Sequence, residues 1–265
     1  MLNLTILASI PIIAYHKISN KQEFGLTTVS PSMFKKQVHI INESGFFPVT
    51  FNDVLIGRNL PKKPIIITFD DGYESVHEHA LPIMLNHGFK GIVYIVTDYI
   101  GRCNTWEAVS WQQKYTHLSA QQILDLHHQG FEIGSHGKSH QHLSVLPADK
   151  VLSEVRDSKK FLEDLIGQKI ISFCYPYGRH TKRVKSLLGD AGYIFAIQNL
   201  NLFRKQKYDP LAMMRRSIYQ TDSEKKFRCK LNQPYQFSLH KIEESLIQKG
   251  ALLSIAINRL KKYSM

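Results

Sequence analysis

Two carboxylates stand side by side where an apolar run meets a glycine: residues 64–69 (PIIITF) are followed by Asp70, Asp71 and Gly72. Adjacent residues of an extended chain face opposite ways, but a turn at Gly72 can bring both carboxylates into one cleft. One is then placed to bind a metal while the other stays free as a base; a plain Asp-Gly turn is the structural alternative. Downstream, His136 and His140 lie four positions apart. One helical turn or a compact loop can direct both imidazoles at one ion, and neutral imidazole nitrogen is a preferred zinc ligand. His142 competes for the same place, since it would share a face with His140 in an extended segment. At residues 173–178 (FCYPYG) aromatic rings meet Pro176 and Gly178. Such a segment can wall a sugar ring and turn backbone N–H groups toward an oxyanion, or be no more than a packed turn. Finally, His16 follows Tyr15 at the end of the first apolar run; by itself, a buried structural histidine is the ordinary reading.

These residues need a scaffold that brings distant segments together. Unbroken apolar runs at residues 64–69 and 91–96 read as strands buried on both faces. Further strands are expected at residues 9–15, 131–134, 170–175 and 193–197. Helices are expected at 31–44, 78–87, 119–129, 147–166 and 180–191, several closed by a glycine and two opened by Ser30 or Ser119. Strand and helix alternating every 25–45 residues or so argue for a mainly parallel sheet covered by helices. A barrel of this type carries its chemistry at the C-terminal strand ends. The candidate residues do follow the apolar runs.

Of 265 residues, 43% are hydrophobic, enough for a substantial core, and the length suits one large barrel domain. Three isolated cysteines, Cys103, Cys174 and Cys229, form no CxxC pair, so neither a cysteine zinc site nor a disulfide framework is supported. A net charge of +12 favours anionic partners, but no nucleic-acid motif accompanies it and the charge is spread along the chain. The apolar N-terminus lacks the positive n-region of a secretory signal, so a cytoplasmic or membrane-associated location is expected rather than secretion. Residues 223–265 read as a basic helical extension, with a helix at about 240–262 that either packs on the barrel or lies on a membrane surface.

In combination and order, Thr68–Gly72 (TFDDG), the His136/His140 pair and Tyr175–Gly178 (YPYG) resemble the polysaccharide deacetylases with the NodB-homology domain. The resemblance runs over about residues 9–222. It implies a distorted (β/α) barrel of about seven parallel strands in residues 1–222, followed by the extension. It also implies hydrolysis of N-acetyl groups on a polysaccharide, glycoconjugate or glycolipid. Asp71, His136 and His140 resemble the family's metal triad, with zinc expected and cobalt or nickel as substitutes. Asp70 looks like the general base, and Tyr177 like the residue whose backbone N–H stabilises the oxyanion. Tyr73, Tyr175, Pro176 and Tyr177 are the expected substrate contacts, and pocket aromatics such as Tyr73, Tyr99, Trp106, Trp111 and Tyr177 favour a sugar ring.

The sequence also departs from the family pattern. Gly137 stands where a hydroxyl residue often supports the histidine loop, and Cys174 where an arginine often orients the catalytic aspartate. No clear late Leu-x-x-His segment supplies the general acid. Tyr15-His16 resembles the poly-N-acetylglucosamine deacetylase branch, in which an N-terminal Tyr-His provides that acid. An Arg-Arg pair after the last strand is also common there, so Arg215 or Arg216 is expected to replace the missing arginine. A non-sugar amide or imide, an O-acetyl ester, and a catalytically silent glycan binder are the competing readings.

Overall fold

An apolar strand such as residues 64–69 needs cover on both faces, and the chain provides it by closing its sheet into a barrel. A computed structural model describes residues 4–21, 26–57, 60–105, 115–199 and 208–232. The barrel strands are β1 (Ile12–Tyr15), β2 (Pro64–Phe69), β3 (Ile92–Ile95), β4 (Glu132–Ser135), β5 (Ser172–Cys174), β6 (Phe195–Asn199) and β7 (Met213–Ser217). All seven are parallel, each bonded to its successor, and β7 returns to pair with β1. The expected (β/α) barrel is therefore present, with Phe47–Pro48 as a short extra strand beside the start of β2.

The two-residue period of the strands divides the core. Ile12, Ile66, Ile92, Tyr94, Ile197 and Met213 share one cluster with Leu7, Phe51 and Val54. Ile13, Ile65, Ile67, Val93 and Ala196 face the other way and pack against the helical layer. Phe51 stacks on Phe195 with 4.7 Å between ring centroids, so the helix Phe51–Ile56 plugs the barrel at the N-terminal strand ends. With that end closed by the helix, the C-terminal strand ends are left open to solvent and to a ligand.

The helices begin and end where local chemistry dictates. Ser30 accepts from the Met33 N–H at the start of Pro31–Glu43, and Ser119 forms a reciprocal capping box with Gln122 ahead of Ala120–His128. Ala148–Ile166 stops at Gly167 in the left-handed region.

Three expectations need correction. Residues 4–9 form a helix, and β1 begins only at Ile12. Pro11 explains the break, because a residue before proline is driven out of the α region. The single helix expected at 78–87 is a π-turn at Val76–Ala80 running into Leu81–Leu85. Pro82 lacks the N–H for the regular ladder, and the Leu81 N–H bonds to Val76 O instead. Arg215 and Arg216 lie within the last strand, not after it. The helix expected at 180–191 is found as Lys182–Asp190, capped by Thr181.

Glu224–Asn232, the start of the C-terminal segment, packs on the barrel: Phe227 and Leu231 enter the main core. Asp222 is fully buried and receives both Lys226 and Lys230. The helix expected at 240–262 lies outside the described residues. Among those described, no helix is long and apolar enough to cross a membrane.

Candidate active site at the barrel mouth

β2 delivers the paired aspartates into a tight turn. Asp71 and Gly72 are both left-handed, with φ of 67° and 68°. The left-handed backbone at Gly72 favours glycine, and a Cβ there would press on Ile95 Cδ1 at 2.9 Å. The turn separates the two carboxylates by direction while keeping them in one cleft. Asp70 is held toward β7 and β1, and Asp71 toward the histidines. His117 donates from Nδ1 to the Asp71 carbonyl at 2.8 Å, and the Leu118 N–H donates to Gly72 O at 2.8 Å. Nothing in the local sequence around His117 signals this support; it depends on the loop returning to β2.

His136, directly after β4, has its Nδ1 2.7 Å from the Cys174 carbonyl. That bond fixes the tautomer and leaves Nε2 facing Asp71 Oδ1 at 3.3 Å. His140, in the left-handed region at φ 56°, turns its own Nε2 to the same oxygen at 3.3 Å. Burial raises the Asp71 carboxyl, but the bonds to His136 and His140 outweigh it and hold the group well below the usual carboxylate range. His142 does not join the cluster; its ring stacks on Tyr177, 18° from parallel.

Asp70 sits in a separate set of contacts. Arg215 brings both terminal nitrogens to the two Asp70 oxygens. His16 Nε2 stands 3.7 Å from Asp70 Oδ2, and the Cys174 thiol points at the same oxygen from 3.6 Å. Burial again raises the carboxyl, while the Arg215 charge, then His16, brings it below its ordinary value. Asp70 is thereby kept anionic.

Of the arginine pair, Arg215 enters the site and Arg216 does not. Neighbouring strand residues face opposite sides, and the Arg216 guanidinium donates to the carbonyls of Cys229 and Lys230 at the end of the C-terminal helix. The expected aromatic wall also needs revision. Tyr177, at φ 59°, sets its ring edge-on to His140 at 4.7 Å and faces the cluster. Tyr175 and Pro176 are buried behind it, Tyr175 donating from its hydroxyl to Leu211 O and stacking on His180. Tyr73 is fully buried as well, accepting from Asn104 Nδ2 at 2.8 Å with its ring against His117. Tyr73 and Tyr175 are thus buried side chains rather than exposed platforms. Trp106 and Trp111 lie outside the described residues.

Among the described residues, two triads could hold a cation: Asp71 with His136 and His140, and Asp70 with His136 and Cys174. Within each, the donor atoms lie within 4.8 Å of one another. The second fits poorly, since Arg215 already occupies both oxygens of Asp70 and burial pushes the Cys174 thiol up, away from the thiolate a metal needs. The first fits well: two imidazole nitrogens and a carboxylate oxygen converge, all buried, with the His136 tautomer set for ligation.

Fold and site together define a deacetylase-type barrel. The chain belongs to the polysaccharide deacetylase family, whose model matches residues 57–196, more than half of its length. The Bacillus subtilis (strain 168) protein YxkH is 26% identical over 190 residues, 70% of this chain and 63% of YxkH. The poly-beta-1,6-N-acetyl-D-glucosamine N-deacetylase of Staphylococcus aureus (strain MRSA252) is 22% identical over 172 residues, 60% of this chain and 57% of that protein. The chain thus spans about three-fifths of the length of these curated relatives. Among solved structures, the Streptococcus pyogenes deacetylase PplD in complex with acetate superposes with a TM-score of 0.72 at 22% identity, over 84% of this chain and 98% of that one. IcaB from Ammonifex degensii gives 0.68 at 20% identity, over 86% and 97%. At such identities the likeness establishes the shared barrel.

Proposed function

We propose that this chain is a metal-dependent hydrolase that removes N-acetyl groups from N-acetylhexosamine units of a polysaccharide or glycoconjugate. The observation that carries this reading is the division of labour between the two aspartates. Asp71 converges with His136 and His140, while Asp70 is kept apart by Arg215 as a second, ionised carboxylate. A structural Asp-Gly turn has no need of that separation, and hydrolysis of an amide does.

Asp71, His136 and His140 would hold the cation, zinc by donor type. When bound, it supplies Lewis-acid polarisation of the acyl oxygen and acidifies water. Asp70 accepts the proton of the attacking water, its orientation fixed by the two-pronged grip of Arg215. His16, 3.7 Å from Asp70 and partly exposed, donates a proton to the departing nitrogen. The Tyr177 main-chain N–H assists the developing oxyanion, and its ring closes one wall of the site. Arg216, placed on the outer face, has no part in this scheme.

A glycan substrate is supported by family membership and by the named activity of the Staphylococcus aureus relative on poly-N-acetylglucosamine. The experiment that tests the reading is acetate release from N-acetylglucosamine oligomers by the purified chain, with and without chelator and added zinc or cobalt. Metal-dependent release is expected. Release from simple imides or O-acetyl esters alone would transfer the chemistry to a different substrate class, and bound metal with no hydrolysis of any of them would overturn it.

A further inference from the structure

The loop that carries both histidines is fastened from behind. After β4 the chain turns through Gly137, at φ 83°, before reaching His140 at φ 56°. Between them, the N–H groups of Lys138 and Ser139 both donate to Glu154 Oε2, at 2.8 and 2.9 Å. The Ser139 hydroxyl donates to the other oxygen of the same carboxylate. Glu154 is 8% exposed and stands on Ala148–Ile166, the longest helix among the described residues, so its carboxylate has a rigid mount. Ser158, one turn along that helix, shares a 2.8 Å bond with Ser135 Oγ, which in turn accepts from the Gly137 N–H at 3.1 Å. A Cβ at Gly137 would stand 3.2 Å from Glu154 Oε2, so side chain and loop are closely fitted.

We propose that Glu154 is a positioning residue for the cation site, setting the 137–140 loop so that both imidazole Nε2 atoms face Asp71 before any ion arrives. This rests on Asp71, His136 and His140 being cation ligands. Main-chain N–H groups aimed at a single carboxylate form charge-assisted bonds that a loop of this length cannot replace from within. Left-handed residues at both ends would otherwise give the segment several accessible conformations, and the ordering would be charged against ion binding. The hydroxyl side chain that position 137 lacks is replaced by an acceptor arriving from a different element.

The test compares zinc affinity, by competition with a chromogenic chelator well below the melting temperature, for wild type, Glu154→Ala, Glu154→Gln and Ser139→Ala. Glu154→Ala is expected to weaken zinc binding by ~10–100-fold, as outer-shell substitutions at metal sites do. Glu154→Gln should recover most of that loss, because its amide oxygen still accepts the two N–H groups. Ser139→Ala, which removes only the hydroxyl bond, should fall between, and it decides the question if Glu154→Ala does not fold. Unchanged zinc affinity in Glu154→Ala, or in Ser139→Ala when it alone is available, overturns the proposal even if melting temperatures drop. If wild type binds no zinc, cobalt or nickel, the cation reading of the site falls by itself. Amide exchange in the metal-free protein then judges the positioning claim: faster exchange across 137–140 in Glu154→Ala upholds it, and unchanged exchange rejects it.

Discussion

Arg215 reaches past β1 from β7 and places one guanidinium nitrogen on each carboxylate oxygen of Asp70 at the end of β2. Both side chains are buried, at 3% and 2% exposure, so neither charge has water to fall back on. Removing one partner strands the other. Arg215→Ala should cost roughly 3–5 kcal/mol of stability, the usual penalty for an uncompensated buried charge. It should also move the acid limb of the pH–rate profile to higher pH, because Asp70 loses the charge that offsets its burial. Arg216→Ala is the control, with turnover near wild type. An unshifted acid limb in Arg215→Ala would remove the arginine from the site.

Asp70→Asn should retain zinc and lose at least ~10²-fold in turnover, since the amide cannot take the proton. Equilibrium dialysis against zinc and acetate-release kinetics on the same preparation separate the two effects.

His140→Ala should behave in the opposite way, with zinc stoichiometry falling along with activity. Its Nε2 is one of only two imidazole donors in the favoured triad. His142→Ala, whose ring lies against Tyr177, should keep its zinc.

His16→Ala should keep metal and lose roughly 10²-fold on N-acetyl substrates, the scale of general-acid assistance. The deficit should shrink on an aryl acetate, whose leaving group departs without a proton. Equal losses on both substrates would return His16 to a structural role.

A fifth expectation concerns folding. Glu132 is buried near the closed end of the barrel, accepting from Ser172 Oγ at 2.7 Å and the Asn52 N–H at 2.8 Å. Burial pushes its carboxyl from 4.5 up to about 7. The folded chain therefore keeps a proton that the unfolded chain has released, and stability declines as pH rises through that interval. The decline amounts to ~3 kcal/mol at 1.36 kcal/mol per pH unit. Chemical denaturation of Glu132→Gln at pH 5 and pH 8 should show the variant gaining on wild type as pH rises.

The strands most legible in the sequence were those with unbroken apolar runs. Pro64–Phe69 is found at the expected limits, and Ala120–His128 and Ala148–Ile166 within a residue of theirs. β7 is not legible in the sequence because Arg215 and Arg216 break any apolar pattern, and their reasons for being in a strand, Asp70 and the C-terminal helix end, are remote in the chain. The same holds at the site. Asp70, Asp71, His136 and His140 sit in local motifs, whereas His117, Glu154 and the Cys174 contact to Asp70 arise only when separate strands are brought side by side. For Tyr73 and Tyr175, residue type suggests a sugar platform, but burial depends on what packs above the ring and is not legible locally.

The barrel closes by pairing its last strand with its first, and Asp70 meets His16 and Arg215 at that seam. The three residues that converge on the proposed cation come from β2 to just beyond β4 and are synthesised by residue 140. Arg215 emerges 75 residues later, so a chain growing on the ribosome has all its ion-holding groups long before Asp70 is restrained. The seam is thus the last part of the barrel to exist: until β7 is made, Asp70 lies beside an open edge with no guanidinium on it.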